Sequence, residues 1–426
     1  MNPFVYFFAL LLFPIIATLP VQAQVPVIVG KVFHQHTDKR VSFSGVGILG
    51  SAQGTVANEH GEFELHLTQT PNLQRDTLVV SSIGYFNAKI ALKDIPDLRS
   101  VQVHLEPRGY VLDAVPIIRA RLSAEEIVRQ AWLRIPQNYL TRPFLSEGFY
   151  REYFKENGAH VAFAEASVSV YDPTGYASTN RETQKNKEII ALNELRVSDI
   201  CNQGNYVLYI DLNYALRTNP VRNADYWKHF ISENKLKTTR LQVDSITYAD
   251  NDTVYCISYQ LDSHKHGSYE GRVFIRTKDF VVMRLEITAR NALKTREENG
   301  APRRSKAIMT FRSHQGKWYL NYINARHDVS YTNEQGQVFN LDFYSELIIE
   351  DLQTETDISL SPSQAMPEQS IFYQPRYRTY DPDFWADYHL FEDSESNDSI
   401  IADLERKRPL DQQYRANGKI KTIVGR

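Results

Sequence analysis

Residues 269–290 read YEGRVFIRTKDFVVMRLEITAR, with apolar side chains at alternating positions on both sides of Lys278-Asp279. The odd-numbered apolar set is Val273, Ile275, Val281, Met283, Leu285 and Ile287. The even-numbered charged set is Arg272, Arg276, Arg284, Glu286 and Arg290. A period of two is typical of β-strands that bury one face, and a short polar break suits a hairpin turn. The stretch therefore predicts two antiparallel strands with an apolar face on a core and a charged, hydrated face.

The same alternation recurs along most of residues 140–355. Asn251-Asp252 and Gln315-Gly316 lie where further hairpin turns belong. Six other runs have strand-like composition: LSEGFYREYFKE (145–156), HVAFAEASVSVY (160–171), YVLYIDLNY (206–214), LQVDSITYADNDTVYCISYQLD (241–262), KAIMTFRSHQGKWYLNYINARHDVSYT (306–332) and VFNLDFYSELIIEDL (338–352). Consecutive hairpins of this length predict one large, curved antiparallel sheet that resembles a half-barrel.

Residues 121–139, RLSAEEIVRQAWLRIPQNY, are the clearest helical segment of the chain. Ser123 is followed three residues later by Glu126, which is the pattern of a capping box. Ile127, Ala131 and Ile135 recur at helical spacing on one face, and Pro136 ends the pattern. We therefore expect residues 108–139 to be a linker and a helix that join two β-rich units.

Residues 24–107 contain short strand-like runs separated by turn residues. Asn58-Glu59-His60-Gly61 predicts a tight connection, because Asn and Gly tolerate left-handed backbone geometry. After it, apolar Phe63, Leu65 and Leu67 alternate with polar Glu62, Glu64 and His66, which predicts a strand with one hydrated face. Seven such strands in this length predict a small β-sandwich of immunoglobulin-like type.

This segment resembles the carboxypeptidase-like regulatory domain, a transthyretin-like sandwich common near the N-termini of exported Gram-negative envelope proteins. The resemblance lies in IVGKV (28–32), GTVANEHGEFEL (54–65), LVVSSIGY (78–85) and VHLEP (103–107). The positions that match the family are Gly54, Gly61, Phe63, Ser82, Gly84 and Tyr85. These positions serve folding in the family, so the resemblance implies a docking or spacing module without catalysis.

The first 23 residues resemble a secretory signal peptide. Phe4–Ile16 is a run of 13 nearly all apolar residues, shorter than the roughly 20 residues that a transmembrane helix needs. Val21-Gln22-Ala23 ends in a small residue, which suits cleavage before Gln24. We expect export to the periplasm or to the outer membrane. In that oxidising compartment Cys201 and Cys256 are compatible either with a disulfide or with two free thiols.

The larger β-rich unit resembles an uncharacterised envelope family that carries the same N-terminal module. The shared pieces include GFYRE (148–152), ITYADNDTVYCISY (246–259) and YEGRVFIRTKDFVVMRLEI (269–287). The strand pattern is also similar to half-barrel lipoprotein carriers, in which a curved sheet shelters an acyl chain. That likeness implies ligand-lining roles for Val273, Ile275, Met283, Leu285 and Ile287. The same side chains also suit ordinary core packing against the predicted helix.

Metal-dependent catalysis finds little support among the 12 histidines. A zinc carboxypeptidase needs a His-x-x-Glu pair and a distant third ligand, and the one such pair is His389 with Glu392, which no later histidine follows. The HxH pairs, His34/His36 and His264/His266, stand in polar segments without a nearby third ligand. Asp250-Asn251-Asp252 lacks the remaining ligands of an EF-hand. We therefore predict no metal and no cofactor.

Other enzyme classes have no motif either. The chain contains no Gly-x-Ser-x-Gly nucleophile elbow and no Gly-rich phosphate loop. Glu147, Glu152 and Glu165 fall on neighbouring predicted strands, where a carboxylate pair for glycoside cleavage is conceivable, although acidic residues on hydrated strand faces are common. The net charge of -3 argues against a surface for nucleic acid.

These observations predict a non-enzymatic, exported binding or scaffold protein, with an apolar or lipid-like ligand on the curved sheet. The alternative is an accessory interaction module of an outer-membrane uptake or assembly system, and a hydrolase has the least support. Predicted partners are a lipid-like ligand or another envelope protein, with peripheral association with the outer membrane. We expect residues 356–426 to form an irregular, partly helical tail that includes the acidic linker EDSESNDS (392–399).

Overall fold

The chain is mainly β, and its largest element is a curved, open antiparallel sheet of ten strands, as the alternating pattern predicts. The computed structural model describes residues 27–67, 71–109, 122–177, 188–204, 208–210, 212–217, 219–223, 239–249, 252–263, 267–290, 304–355, 359–360, 365–366, 370–371, 380–388 and 395–418. The predicted signal peptide, at residues 1–23, lies outside these ranges.

The N-terminal unit, called the sandwich below, consists of two small sheets around one core. Its strands are β1 (Val27–His34), β2 (Gly45–Ile48), β3 (Gly54–Val56), β4 (Glu62–His66), β5 (Thr77–Ser81), β6 (Ala88–Ala91) and β7 (Val101–Leu105). One sheet has the order β4-β1-β7 and the other β3-β2-β5-β6. Ile28, Phe63 and Leu78 are fully buried between them. The turn before β4 forms as predicted, because Asn58 Oδ1 accepts hydrogen bonds from the N–H groups of His60 and Glu62.

The large sheet has the order β10-β9-β8-β18-β17-β16-β15-β14-β13-β12. Its strands are β8 (Phe144–Glu156), β9 (Ala159–Asp172), β10 (Ile189–Val197), β12 (Arg240–Ala249), β13 (Asp252–Ser263), β14 (Gly267–Arg276), β15 (Val282–Arg290), β16 (Arg304–His314), β17 (Lys317–Thr332) and β18 (Val338–Gln353). Two predicted hairpin turns are present. Gln315 and Gly316 have φ of 49° and 76°, as a two-residue hairpin turn requires. The turn at Lys278-Asp279 is closed by a hydrogen bond from Arg276 N–H to the Val281 carbonyl.

Both faces of the sheet are covered. The helices are α1 (Ala124–Leu133), α2 (Ile135–Asn138), α3 (Leu212–Arg217), α4 (Pro382–Asp387), α5 (Glu395–Leu404) and α6 (Leu410–Gly418). One face, called the α1 face, shares a core with α1, α2 and α3. The opposite face, called the sandwich face, packs through Phe149, Tyr322 and Ile348 against Val56 of the sandwich and Trp385 of α4. Further along the same face, Tyr153, Phe163 and Tyr344 pack against α5 and α6.

Three predictions of secondary structure need correction, and one of them is the linker at 392–399, where α5 begins at Glu395. The predicted strand at 206–214 is limited to β11 (Tyr209–Ile210), which pairs with β19 (Ser370–Ile371), and α3 begins at Leu212. Leu212, Ala215 and Leu216 recur at helical spacing and are buried, so packing on the α1 face favours a helix there. The helix predicted over 121–139 divides at Arg134, where α1 ends before Pro136 begins a second short helix. The Ser123 cap forms as predicted, since its Oγ accepts a hydrogen bond from Glu126 N–H.

Candidate functional site

The five predicted ligand-lining residues lie on β14 and β15, opposite α1. Val273, Ile275 and Leu285 are 0–5% exposed and belong to the core that includes Ile127 and Val128 of α1. Met283 and Ile287 are half-buried and pack against that core. The structure therefore brings the set together under α1, in direct contact with the helix core. A ligand on this surface has to displace contacts that α1 makes.

A β-bulge interrupts the alternation at Met283. Phe274 pairs with Arg284, whereas Ile275 pairs with Val282, so Met283 is an extra residue without an opposite partner. The bulge places Val282 in the core beside Leu285. Met283 also lines a cavity on the sandwich side, together with Arg284. The strict two-residue alternation predicted for this strand is wrong at this point.

The C-terminal end of α1 and the following α2 are fixed to the sheet by polar contacts. The Tyr139 hydroxyl donates a hydrogen bond to the Val282 carbonyl at 2.8 Å. The Asn138 amide donates to the Asp279 carbonyl at 2.9 Å, and Lys317 Nζ donates to the Gln137 carbonyl at 2.6 Å. These bonds are directional, and they hold one end of the helical segment in a defined position.

The N-terminal end of α1 borders a cavity of about 660 Å³. Glu125 of α1 lines one side of it, and β12, β13 and β14 line the other. Leu241, Tyr259 and Gly271 belong to this lining, and Tyr259 donates its hydroxyl hydrogen to the Glu286 carbonyl at 2.9 Å. The rest of the lining is polar: Thr239, Arg240, Gln242, Ser258, Gln260 and Glu270. α1 is therefore pinned at one end and adjoins an open volume at the other.

On the sandwich face, His66 of the sandwich connects the large sheet and the segment that follows α4, with the help of two carboxylates. His66 Nδ1 lies 2.9 Å from Oε1 of Glu350, and Nε2 lies 3.2 Å from Oε1 of Glu64. The imidazole stacks on Tyr388, whose hydroxyl donates to Glu350. Burial alone would lower the pKa of His66, but the pairs with Glu350 and Glu64 outweigh burial and raise that pKa to about 9. Glu64 and His66 are thus buried, which corrects the prediction of a hydrated face on β4.

The three candidate catalytic carboxylates do not converge. Glu165 is fully buried on the sandwich face between the guanidinium groups of Arg151 and Arg196. Burial alone would raise the pKa of Glu165, but the two arginines hold it below its usual value. Glu152 lies on the α1 face and accepts a hydrogen bond from Tyr150 at 2.5 Å. Burial, together with Asp351 and Glu350, raises the pKa of Glu147. The carboxylates therefore serve separate local contacts.

The residues that match the regulatory-domain pattern occupy structural positions. Phe63 is fully buried in the sandwich core. Gly61 and Gly84 have φ of 71° and 91°, which favours glycine. Gly84 N–H donates to the Tyr248 carbonyl of β12, so its loop contacts the large sheet. The Ser82 carbonyl accepts from Tyr85 N–H at 3.1 Å, which closes that turn. Gly54 lies against Arg312 of β16.

The structure describes both cysteines and some of the candidate metal-binding residues. Among the residues that the structure describes, no group of three His, Cys, Asp or Glu side chains is arranged to hold a metal ion. His264, His266, His389, Glu392, Asp250 and Asn251 lie outside those residues. Cys201 and Cys256 are both free thiols. No helix in the described ranges has the length and apolar character needed to cross a bilayer.

Comparison with known proteins gives weak structural likenesses only. No protein-family model matches the chain, and no curated protein matches its sequence. A solved outer membrane lipoprotein-sorting protein domain from Vibrio parahaemolyticus aligns with 11% identity and a TM-score of 0.28, over 56% of this chain and 95% of that one. A LolA superfamily protein from Nitrosomonas europaea aligns with 12% identity and a TM-score of 0.20, over 58% and 99%. Because these TM-scores are so low, any proposal about function has to rest on the residues of this chain.

Proposed function

We propose that this chain is a non-enzymatic binding protein of the bacterial envelope, which holds an apolar, lipid-like ligand between α1 and the α1 face of the sheet. The cavity at the N-terminal end of α1 is the observation that carries the proposal. Its volume of about 660 Å³ is in the range of small-molecule sites. The sequence contributes the expected export signal at residues 1–23.

The contacts beneath α1 suit exchange with an acyl chain. Ile127, Val128 and Ala131 pack on the sheet through apolar groups, and such contacts have no directional requirement. An acyl chain that enters beside Leu241 and Tyr259 makes equivalent contacts, while α1 pivots about its polar attachment at Tyr139. The polar groups on the α1 side of this cavity, which include Glu125 and Thr239, then face the head of the ligand.

The alternative, an accessory interaction module, receives less support. That function calls for an exposed aromatic patch. Among the described residues, the large exposed hydrophobic side chains include a single aromatic, Phe86, and Arg108 stacks over its ring at 4.9 Å. Isolated apolar side chains of this kind are ordinary on soluble surfaces.

The test is ligand retention and titration by the full chain. Organic extraction of the purified protein followed by mass spectrometry should release acyl chains, and a fluorescent stearate should bind with saturation. Leu241→Asp should weaken this binding about tenfold or more, because a carboxylate beside an acyl chain is costly to desolvate. Leu133→Asp is the matched control, since Leu133 of α1 is 62% exposed. Absence of both acyl chains and saturable binding would refute the proposal.

A further inference from the structure

A second cavity lies between the sandwich and the sandwich face of the sheet. Its volume is about 490 Å³. Asn321 in its lining is buried, whereas Leu49 and Gln315 are exposed, so the cavity extends from a buried position to solvent. The wall comes from β2 and β5 on one side and from β15, β16 and β17 on the other. The cavity therefore exists only when the two units are docked, and it is separate from the proposed site under α1.

The charges around this cavity have one sign. Arg284 and Arg312 line it, and none of its lining residues is an aspartate or a glutamate. Arg284 pairs with Thr310 across the strands, and Arg312 follows two residues later on β16, so both arginines lie on the same face. The bulges at Met283 and Asn321 open this part of the wall. Hydroxyl and amide groups of Ser81, Thr310 and Asn321 add neutral donors.

The guanidinium group of Arg312 donates hydrogen bonds to the sandwich, whereas Arg284 has one N–H group without an acceptor among the described residues. Arg312 donates to the carbonyls of Ala52 and Gln53 at 3.2 and 3.1 Å. Arg284 lies near the rings of Phe43 and Phe274, at 5.3 and 5.7 Å from their centroids. One terminal nitrogen of Arg284 pairs with Glu286 at 2.8 Å. Its buried Nε–H has no hydrogen-bond acceptor among the described residues, and leaving such a donor unpaired is unfavourable.

The local charge balance is also positive. Glu286, the carboxylate paired with Arg284, is shared with Arg272, whose Nε lies 3.0 Å away. The guanidinium groups of Arg272 and Arg284 thus share the carboxylate of Glu286. Burial and the neighbouring Arg272 lower the pKa of Arg284, partly offset by Glu286. A second anion at this position would complete the pairing.

We propose that this interdomain cavity binds a small amphiphilic anion, a carboxylate or phosphate on an apolar body, and that Arg284 recognises its charge. The planar guanidinium group suits both kinds of anion. Leu49, Val79, Ile83 and Met283 offer the apolar part of the wall. The ligand is either a free metabolite or the headgroup end of a short lipid, and both share this chemistry.

Isothermal titration calorimetry of the full chain tests the proposal with hexyl phosphate, hexanoate, inorganic phosphate and hexanol. Hexyl phosphate or hexanoate should bind one per chain, about tenfold or more tighter than the neutral hexanol. Arg284→Gln should weaken that binding by about tenfold or more. Arg290→Gln is the matched control, because Arg290 lies on the same strand and its side chain is 54% exposed. Inorganic phosphate binding as tightly as hexyl phosphate would contradict the apolar part of the proposal, and weaker binding of inorganic phosphate would support it.

A second variant keeps the test independent of the arginine. A β-carbon at Gly45 meets only Ser81, at 3.4 Å or more, so Gly45→Leu is expected to fold and to fill the cavity from the sandwich side. It should abolish anion binding without removing any charge. Leu241→Asp, in the other cavity, should leave anion affinity unchanged. Absence of saturable binding by all three anions, or equal affinity in Arg284→Gln, would overturn the proposal.

Discussion

The guanidinium group of Arg312 occupies the space that a β-carbon on Gly54 would need. Gly47, on the neighbouring strand, lies against the same group. Arg312 belongs to the large sheet, and the two glycines belong to the sandwich. The absence of side chains at these positions lets a charged side chain reach the carbonyls of the turn at residues 51–53. This contact defines how closely the two units approach.

Gly54→Ala should therefore weaken the docking of the sandwich on the sheet. The added methyl group displaces Arg312, and overpacking of this kind costs about 1–3 kcal/mol in the free energy of unfolding. Urea denaturation measures the loss. Gly45→Ala is the control, because its β-carbon has ordinary contact distances. In an Arg312→Ala background part of the cost should disappear, because the close approach to the Val46 carbonyl at 2.9 Å remains, and an undiminished cost would contradict the explanation.

Because of His66, the free energy of unfolding should decrease as the pH becomes alkaline. Its pKa rises from 6.5 to about 9 on folding, so the stabilisation is complete below pH 6.5 and is lost as the pH rises through 9. The shift corresponds to roughly 3 kcal/mol. The free energy of unfolding of the native chain should fall between about pH 6.5 and 9, and that of His66→Gln should fall less. Identical pH profiles for the two proteins would rule out this role.

Glu165→Gln should be strongly destabilising. The substitution removes the carboxylate that pairs with both Arg151 and Arg196, and breaking a buried pair in this way costs about 3–5 kcal/mol. The control is Glu270→Gln, which removes an exposed ion pair with Arg290 and should cost less than about 1 kcal/mol. Equal losses in urea denaturation would show that the buried position contributes no more than a surface pair.

The two cysteines should react as free thiols at different rates. Cys256 is 6% exposed and burial raises the pKa of its thiol, whereas Cys201 is only half-buried. Since the thiolate is the reactive form, a disulfide-exchange reagent should label Cys201 first in the native chain and both thiols in denaturant. Labelling of neither thiol in denaturant would indicate a disulfide instead.

The alternation of side chains predicts the strands of the large sheet and several of its turns because each residue's direction is a local property. It does not predict which remote segment covers a face. Arg284 and Glu64 stand in positions that the pattern assigns to water, yet Glu64 is buried and the Arg284 side chain is only 18% exposed, because the sandwich and the large sheet dock there. The bulge at Met283 also cannot be predicted from the sequence, since one extra residue leaves the composition of the strand unchanged.

For the candidate sites, too, the sequence predicts the local pattern of side chains but not the contacts between remote segments. The apolar residues of β14 and β15 are predicted from their spacing, and their contact with α1 is consistent with the amphipathic pattern of residues 124–133. The interdomain cavity has no direct sequence signal, because its wall combines residues 43–51 with residues more than 200 positions later. The signal that points to it is indirect: glycines at 45, 47 and 54 in short strands, which often mark close approach of another group.

The coverage of the sandwich face has a consequence for biosynthesis. Trp385 and Tyr414 shield Arg196 and its partner Glu165, although they are synthesised roughly two hundred residues later. Chains usually fold from the N-terminus as they emerge, but here the middle strands stay hydrated on one side until the last helices arrive. Burial of this pair must therefore wait until residues 382–418 have been synthesised, and shortening the chain before Pro382 should yield a species that holdase chaperones retain.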